Sequence, residues 1–65
     1  MSRDLTPRER ELILRCSAPG ATRESVAEEL GISAHTIRHH LLSAYRKLGV
    51  QSLAQAVRVI MEKAA

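Results

Sequence analysis

The side chains of this chain that could do chemistry are basic and imidazole groups, and they are gathered where carboxylates are missing. Residues 1–32 hold five basic and six acidic residues, whereas residues 33–65 hold five basic residues and one acidic residue. No Asp or Glu lies between Leu30 and Met61, and that stretch contains all three histidines. Lys and Arg that neutralise phosphates release counterions, and a nearby carboxylate would oppose binding. This pattern indicates a polyanionic partner for the second half of the chain.

The same residues give little support for catalysis or metal binding. His35 and His39 are four residues apart, a spacing with which two rings can chelate a metal from one face of a helix. No Cys or carboxylate lies near them in the sequence, and a metal site usually needs three or four ligands. No Ser/His/Asp set and no glycine-rich phosphate loop stands out. We therefore predict no enzyme activity, no metal and no cofactor.

Length and composition predict a single small domain over residues 1–65. Tyr45 is the only aromatic residue, so the core must be aliphatic. The single Cys16 excludes an internal disulfide and fits the reducing cytoplasm. No apolar run approaches the ~18 residues that a membrane span needs, and the N-terminus lacks the apolar core of a signal peptide. These features predict a cytoplasmic protein without a membrane partner.

The elements that position the basic residues are four predicted helices, of which the first two are short. Thr6 and Glu9 form a capping box that starts the first helix, and Pro19-Gly20 ends it. Thr22 caps the second helix, and Gly31 follows it as a left-handed terminator.

The third predicted helix is the longest and carries most of the basic residues of the acid-free stretch. Ser33 caps it, and it runs from about Ala34 to Leu48. Its apolar stripe consists of Ile37, Leu41, Ala44, Tyr45 and Leu48. Its opposite face consists of His35, Arg38, His39, Leu42 and Arg46. We predict that this second face contacts the partner, with Leu42 either at the edge of the core or against a thymine methyl group.

The fourth predicted helix begins at the cap Ser52, with Gln55 as its capping-box partner. Its inner stripe consists of Leu53, Ala56, Val57 and Ile60. Val59 and Met61 lie off that stripe. On so small a domain, apolar residues outside the core suit a contact between two copies, so we predict a dimer interface at Val59 and Met61.

A short helix, a turn with glycine and a longer basic helix make a helix-turn-helix, in which the second helix of the pair enters the major groove. The sequence from about Leu5 to Met61 resembles the LuxR-type helix-turn-helix family. The motifs that carry the resemblance are Leu5-Thr6-Pro7-Arg8-Glu9-Arg10-Glu11, Val26-Ala27-Glu28-Glu29-Leu30-Gly31-Ile32-Ser33, Thr36-Ile37-Arg38-x-His40, Lys47-Leu48-Gly49-Val50 and Ala56-Val57-Arg58. The chain is similar to the small stand-alone, GerE-like members, and the alternative of an excised fragment of a longer protein stays open.

The resemblance implies four helices, DNA binding through the third helix and dimerisation through the fourth. Arg38 matches a basic DNA contact of the family, and His39 and Leu42 match positions that face the groove floor. Lys47 lies near the end of the helix, where we expect it to meet only phosphate. The full predicted DNA-contact set is Thr22, Ser33, His35, Thr36, Arg38, His39, Leu42, Arg46 and Lys47.

The prediction is a transcription regulator that binds double-stranded DNA as a homodimer, with RNA polymerase as a candidate protein partner. Two alternatives stay open. One is a promoter binder like region four of a sigma factor, against which the Leu48-Gly49-Val50 turn and the fourth helix argue. The other is a protein-interaction module that acts through the fourth helix and has lost DNA binding. Glu24, at a position that is often basic in the family, leaves room for this second alternative.

Overall fold

Four helices account for most of the chain. The computed structural model describes the backbone of residues 5–64 and the side chains of residues 5–62. The helices are α1 (Pro7–Cys16), α2 (Arg23–Leu30), α3 (Ala34–Leu48) and α4 (Leu53–Ala64). No strand occurs within residues 5–64. The predicted all-α architecture with four helices is confirmed, and α3 has the bounds that the sequence predicted.

Hydroxyl side chains fix where the first three helices begin. The Thr6 hydroxyl accepts a hydrogen bond from the amide of Glu9 at 3.1 Å, and the Glu9 carboxylate accepts one from the amide of Thr6 at 2.9 Å. Thr22 and Ser25 form the same reciprocal pair at the start of α2. Ser33 caps α3. These bonds satisfy amides that have no intrahelical partner, so each helix begins at a defined residue.

A glycine in the left-handed region ends α2 and sets the tight turn of the motif. Gly31 has φ 70°, which residues with a Cβ atom rarely adopt. The amide of Ile32 donates to the carbonyl of Ala27 at 3.0 Å, which satisfies a carbonyl of the last turn. Because Ser33 caps α3 only two residues after Gly31, α2 and α3 must change direction sharply between them.

The start of α4 differs in one bond from the predicted capping box. The Ser52 hydroxyl accepts from the amide of Gln55 at 3.2 Å, as expected. The Gln55 side chain, however, accepts from the amide of Gln51 at 2.8 Å and not from that of Ser52. The predicted second bond of the box, from Ser52 to Gln55, is therefore wrong, while the predicted cap at Ser52 is present.

α3 forms the centre of the fold and packs against the other three helices. Its residues Ile37, Leu41 and Ala44 are no more than 1% exposed and contact a core of aliphatic side chains from α1, α2 and α4. Cys16 is part of this core, as predicted. Since one side of α3 is buried on three neighbours, the rotation of the helix is fixed, and its opposite side must face outward.

Candidate nucleic-acid interface

The outward side of α3 displays the residues that the sequence predicted to contact a partner. We call His35, Arg38, His39, Leu42 and Arg46 the outer face of α3. All five side chains are exposed. They recur at intervals of three and four residues, which places them on one stripe of the helix. Leu42 is 44% exposed, so the structure removes the alternative that it packs at the edge of the core.

Carboxylates neutralise Arg8, Arg15 and Arg58, which lie outside the outer face, but neither arginine of the outer face. On α1, Arg8 and Arg15 pair with Glu11, and Arg15 also reaches Glu29. Arg38 and Arg46, by contrast, make no ion pair with any residue in the described part of the chain. Their guanidinium groups are therefore available to phosphates or to base edges, and Arg can bind either in a bidentate manner.

Hydroxyl groups and a helix N-terminus lie at the beginning of the same helix. The Ser33 hydroxyl accepts from the amide of Thr36 at 3.0 Å and lies 2.9 Å from the Thr36 hydroxyl. The first turn of α3 contains no acidic residue, so the positive end of its dipole is not offset. Thr22 is exposed at the start of α2, where its hydroxyl serves as the cap. Such groups can donate to a DNA phosphate.

Two histidines of the outer face contact each other. The Nε2 atoms of His35 and His39 are 3.0 Å apart, and the rings meet edge to face with centroids 4.5 Å apart. A hydrogen bond at this distance requires that one Nε2 carries a proton and that the other is bare. The two rings therefore form one hydrogen-bonded pair in the N-terminal half of the outer face.

The side chain of Lys47 has a partner that the sequence did not predict. Its Nζ atom is 2.8 Å from Oε1 of Glu9, in α1, and the side chain is 32% exposed. Lys47 thus has a carboxylate partner within the domain, and its phosphate contact stays a prediction. Lys47 lies between the buried stripe and the outer face, on the side of α3 that packs on α1.

Glu9 is the buried partner in this pair, and its charge is stabilised. Its side chain is 5% exposed. Burial alone would raise the pKa of the Glu9 carboxyl, but hydrogen bonds from Lys47 and from the amide of Thr6 outweigh burial and lower the pKa to about 2. Sequence reasoning assigned Glu9 only to the capping box. The separation of 38 residues between Glu9 and Lys47 left no local signal for the pair.

The predicted dimer residues are exposed to different degrees. Met61 is 62% exposed, whereas Val59 is only partly exposed. The arginine of α4 pairs along its own helix, Arg58 with Glu62 at 3.5 Å.

Across the described residues, no group of three or more His, Cys, Asp or Glu side chains is arranged to hold a metal ion. None of the described helices is both long enough and apolar enough to span a membrane.

Comparison with known proteins agrees with this geometry. The family model for bacterial regulatory proteins of the luxR family matches residues 3–60. The chain belongs to the LuxR family. Its helix-turn-helix is therefore a LuxR-type DNA-binding domain of a transcription regulator, and the family is not one of enzymes.

Several bacterial proteins are similar to most of this chain. It is 43% identical over 53 residues to the spore germination protein GerE of Bacillus subtilis, covering 82% of this chain and 70% of GerE. It is 49% identical over 53 residues to the probable transcriptional regulatory protein SgaR of Hyphomicrobium methylovorum, which covers 82% of this chain and 25% of SgaR. The transcriptional activator RamA of Corynebacterium glutamicum is 47% identical over 49 residues, 74% of this chain and 17% of RamA.

The lengths of these relatives differ widely. The chain spans 25% of SgaR, 24% of the regulator YdfI of Bacillus subtilis and 25% of the activator YukR of Yersinia ruckeri. Similarity to these three proteins therefore concerns their LuxR-type domain alone. No solved structure matches the chain.

Proposed function

We propose that this LuxR-type domain binds duplex DNA by placing the outer face of α3 in the major groove. The observation that carries the proposal is the outer face itself, where two unpaired arginines, two histidines and an exposed leucine lie on one stripe of a helix. The major groove admits one α-helix and presents a different donor and acceptor pattern for each base pair. A regulator of this kind acts in the cytoplasm, where it reaches the chromosome.

Within that face we assign base reading to Arg38, His39 and Leu42, and phosphate contacts to Arg46. Arg38 lies one turn into α3, where side chains of a recognition helix reach base edges. Leu42 suits the methyl group of thymine, since it is apolar and 44% exposed. Around them, Thr22, Ser33 and Thr36 can donate to the DNA backbone and fix the register. Lys47 is left out of this set because it pairs with Glu9.

We propose further that two copies bind together through α4. Met61 is the most exposed large hydrophobic side chain among the described residues, and Val59 lies on the same helix. A contact between two such short helices is small, so free protein should be monomeric at micromolar concentration and pair on DNA with two inverted half-sites. The relative RamA is a transcriptional activator. If this domain also activates transcription, RNA polymerase is the protein partner we propose.

Selection of bound sequences from a random duplex library tests the proposal. A two-fold symmetric site should emerge, with half-sites separated by one helical turn or a multiple of it. Fluorescence anisotropy at increasing salt should then show a linear fall of log K with log[salt]. A protein-interaction module without DNA binding would enrich no sequence and show no salt-dependent binding. Val59→Glu should keep the helical circular-dichroism spectrum and abolish cooperative binding to the two-half-site duplex.

A further inference from the structure

The two contacting histidines of the outer face bring their Nε2 atoms close enough together to bind one metal ion. His35 and His39 lie one helical turn apart, both rings are exposed, and their Nε2 atoms converge to 3.0 Å. Neutral imidazole nitrogens are common ligands of transition metals. Spacing alone did not predict such a site, because it shows neither which ring atoms face each other nor how far apart they lie.

The distance between the two nitrogens is compatible with bonds from both to one metal ion. Metal–nitrogen bonds to imidazole are about 2.0–2.1 Å long. Two such bonds to atoms 3.0 Å apart enclose an angle of about 94°. A tetrahedral ion such as Zn²⁺ would place the nitrogens about 3.3 Å apart, a separation that a small rotation of either exposed ring supplies. Square-planar and tetragonal ions prefer angles near 90°, and Cu²⁺ and Ni²⁺ are the ions of that class that bind nitrogen ligands.

We propose that His35 and His39 bind one Cu²⁺- or Ni²⁺-type ion through their Nε2 atoms, with water in the remaining coordination positions. No third His, Cys, Asp or Glu joins the pair among the described residues, so the ion stays open to solvent on the outer side. Binding requires that both Nε2 atoms are bare, so the proton now shared between the rings leaves or moves to an Nδ1 atom. The site does not depend on DNA for its formation.

The position of the site gives it a consequence for DNA binding, and this step rests on the proposed function. The ion and its waters would stand on the outer face, between the two rings and the groove floor. Metal and DNA should then compete for His35 and His39. Because coupling between two ligands is reciprocal, DNA must weaken metal binding by the same factor by which metal weakens DNA binding.

The experiment uses paramagnetic Cu²⁺ and the full chain. Cu²⁺ is titrated into the protein at neutral pH in a buffer that does not bind metals, and ring-proton resonances of the three histidines are followed by nuclear magnetic resonance. The signals of His35 and His39 should broaden together at substoichiometric Cu²⁺, while that of His40 persists. Calorimetry should give one ion per chain, with Ni²⁺ bound more tightly than Zn²⁺.

Variants separate chelation from adventitious binding. His35→Gln and His39→Gln should each lower the Cu²⁺ affinity roughly tenfold or more, because one ring alone binds without the second, intramolecular contact. His40→Gln is the matched control on the same helix, and it should keep the affinity of the parent. Equal broadening of all three histidines, or unchanged affinity in both His35→Gln and His39→Gln, overturns the site.

A second arm adds the selected duplex to the Cu²⁺-loaded protein. Release of Cu²⁺ by the specific duplex supports competition, whereas retention of Cu²⁺ on a DNA-bound protein overturns the competition but not the site. A protein that binds Cu²⁺ as expected and fails to bind any duplex without metal would leave the site standing and contradict the proposed function. The two failures are thus distinguishable.

Discussion

α1 and α3 carry the same number of Lys and Arg residues, three each, but their charges end up in different environments. α1 contains two glutamates of its own, and two of its arginines pair with carboxylates of α1 and α2. α3 contains no carboxylate; one of its cations turns inward to Glu9, and Arg38 and Arg46 remain unpaired. A count of basic residues therefore does not identify a nucleic-acid surface. Arg10 of α1 also makes no ion pair among the described residues, so what distinguishes α3 is that it contains unpaired cations and no carboxylate.

The largest effect we expect concerns the contact that joins the two helices, the pair of Glu9 and Lys47. The folded pKa of Glu9 is about 2, below the ordinary value of 4.5, so its ionised form stabilises the fold. That stability should be fully present above pH 4.5 and be lost as the pH falls toward 2. The shift corresponds to about 3 kcal/mol in the free energy of unfolding. Urea denaturation between pH 6 and pH 2.5 measures it.

Glu9→Gln separates the contribution of Glu9 to the pH dependence of stability from the contributions of the other carboxylates. Glutamine can still accept from the amide of Thr6 but cannot titrate, so the variant should lose less stability than the parent over the same pH interval. Parallel curves for the parent and the variant would show that Glu9 does not carry the dependence.

Lys47→Met should lower the free energy of unfolding at neutral pH by nearly as much, because it leaves the Glu9 carboxylate buried without a cation. Loss of one partner of a buried pair costs about 3–5 kcal/mol of stability. Because Lys47 is partly exposed, we expect a loss at the lower end of this range, about 3 kcal/mol. Arg46→Met is the matched control, since it removes the neighbouring cation from the outer face, where no carboxylate depends on it. Urea midpoints of the two variants compare them. Equal loss of stability in both would contradict the assigned role of Lys47.

Sequence reasoning predicted the parts of the fold that local chemistry determines. The caps at Thr6, Thr22 and Ser33 and the terminator Gly31 are local, so the helices they bound could be placed before the structure was known. The period of apolar residues likewise separated the buried stripe of α3 from its outer face. The rotation of the long helix followed from this separation alone.

Contacts between distant parts of the chain could not be predicted in the same way. Lys47 looks like a last-turn cation of α3, and only the packing of α3 on α1 brings its ammonium to Glu9. The two histidines were recognised as neighbours, but their ring orientation depends on side-chain rotamers that spacing does not determine. The DNA-contact set as a whole stays a prediction, and Arg38, His39 and Leu42 are its most direct members.

Binding measurements with DNA test the difference between the arginines of α1 and α3 directly. Arg38→Ala should lower the affinity for the selected site by about 2 kcal/mol, within the range of about 1–3 kcal/mol for a bidentate contact to guanine, and relax the preference at one base position. Arg8→Ala is the matched control from α1, where the arginine already pairs with Glu11. It should leave the affinity unchanged. Anisotropy titrations with the selected duplex and a scrambled duplex measure both variants.

The outcome for Arg38 also distinguishes reading from anchoring. A variant that lost affinity equally for both duplexes would make Arg38 a phosphate contact, and base reading would move to His39 and Leu42. Equal losses from Arg38→Ala and Arg8→Ala would contradict the comparison itself, because they would show that pairing with a carboxylate does not remove an arginine from DNA binding.

The smallest effect sharpens the difference between two adjacent residues of α3. Arg46 is exposed and unpaired among the described residues, whereas the neighbouring Lys47 is held by Glu9. Each neutralised phosphate contributes about 0.9 to the slope of log K against log[salt] on duplex DNA. Arg46→Ala should therefore reduce the slope by about 0.9 for specific and scrambled duplexes alike. Lys47→Gln, measured where it remains folded, should leave the slope unchanged, since its charge already has a partner. A slope that falls in Lys47→Gln and not in Arg46→Ala would mean that DNA draws the Lys47 ammonium away from Glu9 and that Arg46 does not contact phosphate.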